Sequence, residues 1–375
     1  MRSTWAKSPL FAIIIAMATT AAAQTTNNVF DVVQKNFARW DLNRDGVLST
    51  NELDVAVADA RTTNENAAAV AALKRGSRLK KTSLPPLTPE NIAALAARGE
   101  PDLARMFREG LQRISGATNR ALFAEGLPKL ETIHQGKLGN CFCLAPLGAM
   151  VHRDPAQVAA MFAVTTNGNY CVRFGKKSVE VPPPTDAEIA MTSANEEAGI
   201  WVNLYEKAVG EACNEDRPVA ERADSPIDAL ARGGSAGTML AYITGHEIER
   251  FSFKFAKEPA SATNDVAAKL SELRGKLAEA TRQNRLMTCG TIKTTTPGLT
   301  PNHAYAVLGY AAVKDCVELW NPHGENFQPQ GEPGPEVGYP TTNGVFQISV
   351  EQFVRQFSGM AFEVVAGRWP SSDKD

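Results

Sequence analysis

Cys141 stands six residues after Gln135 in HQGKLGNCFCLAP (134–146), with Gly136, Gly139 and Asn140 between them and an apolar, alanine-containing run beyond. The glycines and asparagine suit a loop, and FCLAPLGAMVH suits a buried helix. A thiol at a helix amino terminus sits where backbone N–H groups lack intrahelical partners and the dipole favours an anion. The Cys141 N–H together with the Gln135 side-chain amide could hold a developing oxyanion. Such a thiol needs a histidine, and the histidine needs a third group to orient it. Five histidines are available: His134, His152, His246, His303 and His323. NHAYAVLGY places His303 at the head of an alternating, strand-like run, and CVELWNPHGEN reads as a neighbouring strand ending at Asn321. Asn321 would accept from the imidazole and fix its tautomer without carrying charge.

QGKLGNCFCLA, NHAYAVLGY and LWNPHGEN resemble the three active-site blocks of the calpain family of cysteine endopeptidases. WVNLYEKAVGEA (201–212), SPIDALARGGSAGTML (225–240) and GVFQISVEQFVRQFSG (344–359) resemble further segments of that family in the same order. The resemblance covers about 128–367. It implies Cys141 as nucleophile, His303 as base and acid, Asn321 as orienter and Gln135 in the oxyanion hole. It also implies an α+β, papain-like, two-lobed core, with Cys141 on a mainly helical lobe and His303 and Asn321 on a β-rich one. The implied reaction is peptide-bond hydrolysis through a thioester, with polypeptide substrates. Two positions depart from the family. Phe142 replaces the usual tryptophan after the nucleophile, and His323 replaces the tryptophan that would shield the His–Asn bond.

The remaining histidines and Cys143 have plainer expected places. His134 is read as a loop residue beside Gln135, His152 as a helix-end partner of the dipole, and His246 as a surface residue after a Thr-Gly turn. Cys143 should point to another helix face and be packed or bridged.

A second chemistry precedes the protease blocks. DLNRDGVLSTNE (41–52) offers oxygen ligands at Asp41, Asn43, Asp45, Ser49 and Glu52, a carbonyl at Val47, and Gly46 at the sharp turn. A hard cation such as Ca2+ wants this set of oxygens, and the loop is similar to an EF-hand. Phe30, Val33, Phe37 and Trp40 trace one face of the incoming helix, and NELDVAVADA reads as the outgoing one. LTPENI (87–92) echoes LSTNEL (48–53), so residues about 66–99 are expected to form a degenerate second hand without calcium ligands.

Arg2 and Lys7, the apolar stretch PLFAIIIAMA and the end at Ala21-Ala22-Ala23 make a secretory signal peptide, too short to span a membrane in the ordinary way. Gln24 is the expected first mature residue, and the protein is expected to be exported, periplasmic or extracellular, without stable membrane insertion. Cleavage removes two cations and no anions, taking the formal charge from −2 to −4. That balance gives no support for a nucleic-acid partner. Export permits disulfides. With one of the six cysteines kept reduced, at most two bridges and one further thiol are left. The basic stretch LKRGSRLKK (73–81) is expected to be a solvated linker face.

The expected organisation is signal 1–23, EF-hand region 24–100 as a small all-α domain, helical connector 101–127, calpain-like catalytic domain 128–367 and tail 368–375. Within it, 266–280 reads as a surface helix, and Ser349 with Gln352 as a capping box. A maturation reading takes 24–127 as a pro-region cut within 73–86. The rival functional readings are a thioester acyltransferase and a catalytically inactive calcium-dependent binding protein on a protease fold.

Overall fold

The computed structural model describes residues 28–78, 84–175, 177–195, 198–257 and 263–364. The signal-peptide segment and the tail lie outside these residues. Helix α1 (Val29–Trp40) starts at Asn28, whose side chain accepts from the Phe30 N–H, and buries Phe30, Val33 and Trp40. Helix α2 (Thr50–Ala58) begins in a reciprocal cap between Ser49 and Glu52. Helices α3 (Asn64–Arg78) and α4 (Pro89–Arg98) follow, with Thr88 capping α4 as Ser49 caps α2. The Leu48 N–H donates to the Leu87 carbonyl at 3.0 Å, so the two connecting loops are joined at the positions where the sequence echoes itself.

The basic stretch proves to be only partly a solvated face. Lys74 is 1% exposed and pairs with Asp54 at 2.6 Å and Asp228 at 2.8 Å, while Arg75 pairs with Glu109 and Arg78 with Asp228. The cause is the alanine-rich face of α3, which lets neighbouring helices come close and encloses the lysine stem. Residues 79–83 lie outside the described residues.

Helix α5 (Pro101–Gly116) is packed, although the sequence reads as a connector. It buries Leu103, Met106, Phe107 and Ile114. A Cβ at its Gly110 would lie 3.4 Å from Ala68 Cα, so glycine allows the close approach to α3. One buried apolar cluster then runs from Val29 through Leu103 to Leu144, Trp201 and Trp320. The amino-terminal helices and the first protease lobe therefore share a core, and the boundary near residue 100 is one of sequence pattern, not of packing.

That lobe contains α6 (Cys141–Arg153), α7 (Pro155–Ala159), β1 (Phe162–Val164), β2 (Tyr170–Phe174), β3 (Lys177–Val181), α8 (Asp186–Met191) and α9 (Trp201–Glu215). Helices α10 (Pro226–Ala231) and α11 (Ala236–Thr244) complete it. The three strands form an antiparallel sheet in sequence order, a feature the sequence reading of a mainly helical lobe did not single out. Helix α6 is buried from Phe142 to Val151. A Cβ at Gly148 would run into the Trp320 ring, so glycine there lets the second lobe dock.

The second lobe is an antiparallel six-stranded sheet in the order β4 (Glu247–Ser252), β9 (Gly359–Val364), β5 (Met287–Gly290), β6 (Ala304–Ala311), β7 (Cys316–Trp320), β8 (Val345–Ser349). Helix α12 (Thr263–Arg282) covers it with Leu273, Leu277 and Ala280, as its apolar spacing predicts. Helix α13 (Val350–Gln356) is capped by Ser349, but only half of the expected box forms: Gln352 receives the Tyr339 hydroxyl instead. The alternation in β6 sorts residues between two cores. Ala306 faces the first, and Tyr305 and Val307 face the second, so the strand is buried on both sides at its start.

His246 is half-buried and not a simple surface residue, with Nδ1 2.7 Å from Glu363 Oε1; Arg153 Nη1 lies 2.6 Å from the other oxygen. All six cysteines are free, so the two possible bridges are not formed.

Candidate active site

Cys141 is the first residue of α6, preceded by Gly139 at φ 79° and Asn140 at φ −100°, ψ 23°. The loop is held from below. Asn140 Nδ2 donates to the carboxylate of Glu206 on α9, which also accepts from the Ser193 N–H at 2.9 Å and hydroxyl at 2.7 Å. Full burial raises the Glu206 carboxyl pKa, against the pull of these hydrogen bonds and the Arg113 charge. Gly136 leaves room for Arg113: a Cβ there would lie 2.9 Å from Nη1.

Gln135 ties this loop to the other lobe. Its N–H donates to the Pro322 carbonyl at 2.8 Å, one residue past Asn321. Its side chain is buried, and Oε1 has no hydrogen-bond partner among the described residues. Cys143 turns to the helix interior, where its thiol donates to the Asn140 carbonyl at 3.1 Å; it is buried and unbridged.

His303 and Asn321 come from the facing ends of β6 and β7. His303 Nε2 lies 2.9 Å from Asn321 Oδ1. An amide oxygen only accepts, so Nε2 carries the proton and Nδ1 is the basic nitrogen. Asn321 is itself fixed, since Oδ1 also accepts from the His323 N–H at 3.1 Å and its own N–H donates to Gly344 at 2.9 Å. The His323 ring stacks on His303 and Tyr305 meets it edge-on. Burial lowers the His303 pKa to about 3, with the neighbouring His323 charge adding to the drop and the Asn321 bond opposing it.

Cys141 and His303 line the same cavity of about 410 Å³. Burial raises the Cys141 thiol pKa, and backbone N–H groups, foremost that of Ala304, oppose the rise. Cys141, His303 and Ala304 line that cavity together, so the sulfur lies by the start of β6. Burial thus opposes charge on both groups, the Cys141 thiol and the His303 imidazole. His134 does not line this cavity; its N–H and carbonyl pair with Ala194, and its ring lies against Gly324.

The Asp41–Glu52 loop is held by its own oxygens. Gly46 turns at φ 81° and donates to Asp41 Oδ2 at 3.0 Å, while Asp41 Oδ1 is buried without a partner among the described residues. Glu52 accepts from Leu42, Asn43 and Ser49 N–H groups and the Ser49 hydroxyl. Among the described residues no three His, Cys, Asp or Glu side chains converge on one point. The hard oxygens and the orphaned Asp41 oxygen fit a calcium ion, provided Glu52 exchanges its backbone bonds for the metal.

A thiol at a helix start, an imidazole oriented by an amide and a cleft between two lobes define a cysteine hydrolase site. Residues 111–332 match the model of the calpain family cysteine proteases, and the chain belongs to that family. It therefore carries a cysteine peptidase domain, and its substrates are polypeptides. A comparison with curated proteins finds no match. Among the described residues no helix is long and apolar enough to cross a membrane.

Sequence reasoning missed Glu206 and Ser193. A carboxylate among the apolar residues Val202, Leu204, Tyr205, Ala208 and Val209 of WVNLYEKAV was the available signal, because a buried charge requires partners.

Proposed function

We propose that the chain is an exported, calcium-binding cysteine endopeptidase with Cys141, His303, Asn321 and Gln135 as its catalytic set. The observation that carries this reading is the 2.9 Å His303–Asn321 contact opening onto the cavity that Cys141 also lines. His303 Nδ1 takes the thiol proton as Sγ attacks the scissile carbonyl. The oxyanion is held by the Cys141 N–H and the Gln135 amide. The imidazolium then protonates the leaving amine, and water hydrolyses the thioester with His303 again as base. Asn321 stabilises the imidazolium without itself titrating.

Calcium would be held by Asp41, Asn43, Asp45, the Val47 carbonyl, Ser49 and Glu52. The metal supplies charge neutralisation and loop order there, far in sequence from the reacting atoms. The Leu48–Leu87 bond supports reading residues about 66–99 as a second, metal-free hand that braces the first. Export rests on residues 1–23, outside the described residues.

Incubation of the protein with an unfolded polypeptide under reducing conditions, with calcium or with chelator, tests the reading against Cys141→Ala. Cleavage that the variant lacks supports the peptidase, and its loss in chelator ties calcium to activity. Amine incorporation in place of hydrolysis would identify an acyltransferase. A folded protein that neither cleaves nor transfers acyl groups would contradict both.

A further inference from the structure

The cavity beside Cys141 and His303 is walled largely by glycine, serine, threonine and small apolar residues, and Arg250 is the one basic lysine or arginine side chain among its lining residues. No Asp or Glu lines it. Arg250 projects from β4, where its strand partner is Ala361. Its Nη2 donates to the Thr238 hydroxyl of α11 at 2.9 Å, a neutral partner. Among the described residues Arg250 forms no ion pair, in contrast to Arg75, Arg78, Arg153 and Arg274. Thr238 therefore aims the guanidinium but leaves its charge uncompensated.

The wall beside it is close-packed backbone. Gly237 contributes no side chain, and a Cβ there would lie 3.5 Å from Arg250 Nη2 and 2.9 Å from Ala361 Cβ. At Gly234 a Cβ would lie 2.7 Å from the Phe142 ring, so that wall too presents backbone only. A substrate side chain entering from the cleft reaches the guanidinium past backbone and hydroxyl groups. Guanidinium N–H groups form a planar fork matched to a carboxylate, and such charge-assisted pairs are the stronger class of hydrogen bond.

We propose that Arg250 is a specificity-determining residue that selects an acidic substrate side chain, glutamate or aspartate, in the pocket beside Cys141. The proposal rests on the peptidase reading above and names its substrate class. A lysine in the same place would meet a like charge, and a neutral side chain would leave the fork solvated.

The test uses peptides identical except for Glu, Gln or Lys at one position, moved stepwise along the residues preceding the scissile bond. At one position the wild type is expected to favour Glu over Gln by roughly tenfold in kcat/KM, about 1.4 kcal/mol. That ratio should fall toward one in Arg250→Gln and turn to a preference for Lys in Arg250→Glu. Higher salt should shrink it, as the guanidinium is exposed at the cavity mouth. Binding of the same peptides to Cys141→Ala, read by fluorescence anisotropy, reports the preference without turnover. A peptidase that fails to cleave thus leaves this measurement intact. Equal binding of Glu and Gln peptides at every position, or a preference that survives Arg250→Gln, would overturn the proposal.

Discussion

The imidazole rings of His303 and His323 lie stacked, with centroids 4.7 Å apart and planes 7° apart. A polar ring thus covers the His303–Asn321 bond where the family's tryptophan is expected. The departure substitutes one flat cover for another, and the His323 N–H adds a second bond to the same Asn321 oxygen.

Removing that cover should cost rate and move a pKa. His323→Ala is expected to lower kcat on the order of tenfold, because the base loses its fixed orientation. It should also raise the pKa of His303, since burial and the neighbouring His323 charge both hold it down. His323→Trp should restore most of the rate. The acidic limb of the pH–rate profile, compared across the three proteins, checks this.

Stability should decline on acidification in a window set by His303. Its pKa is about 3 when folded and near 6.5 when unfolded, so below pH 6.5 the unfolded chain binds the additional proton. The neutral buried ring costs nothing above pH 6.5. The penalty grows as pH falls toward 3 and amounts to a few kcal/mol, roughly, at the end of that range. Urea unfolding from pH 7 to 4 should show a shallower loss in His303→Gln than in wild type.

Lys74 ties the amino-terminal helices to the protease lobe, with Asp54 on α2 at 2.6 Å and Asp228 on α10 at 2.8 Å. Lys74→Met strands the Asp54 carboxylate beside an apolar chain, while Asp228 keeps Arg78, and should destabilise by about 3–5 kcal/mol. Adding Asp54→Asn to that variant should recover part of the loss. Denaturant midpoints of the two variants and wild type read the difference.

Calcium removal should lower the unfolding midpoint, because a ligand bound only by the folded loop stabilises it by mass action. Asp41→Asn, at the buried oxygen that lacks a partner, should weaken calcium binding by an order of magnitude or more. Calorimetric titration of both proteins measures it. An unchanged isotherm would remove calcium from the Asp41–Glu52 loop.

The site was legible in the sequence because its chemistry is local. Cys141 follows a glycine-rich loop and opens a buried helix, and His303 and Asn321 bound short strands, so types and spacing carried the reading. Tertiary packing was not legible in the same way. LKRGSRLKK reads as solvated because its charges dominate, yet Lys74 lies on the face that the neighbouring alanines bury. Likewise α5 resembles a connector until Gly110 meets Ala68, a contact between residues far apart in the chain. The strands β1 to β3 are short and interrupted by turns, which leaves little periodicity to detect.

The most direct test of the account is acid quenching during turnover of an activated peptide ester, followed by peptide mapping by mass spectrometry. The account predicts the acyl group on the Cys141 peptide as a thioester, absent in Cys141→Ala, and turnover abolished with it. An acyl group on another residue, or full turnover in Cys141→Ala, would contradict it.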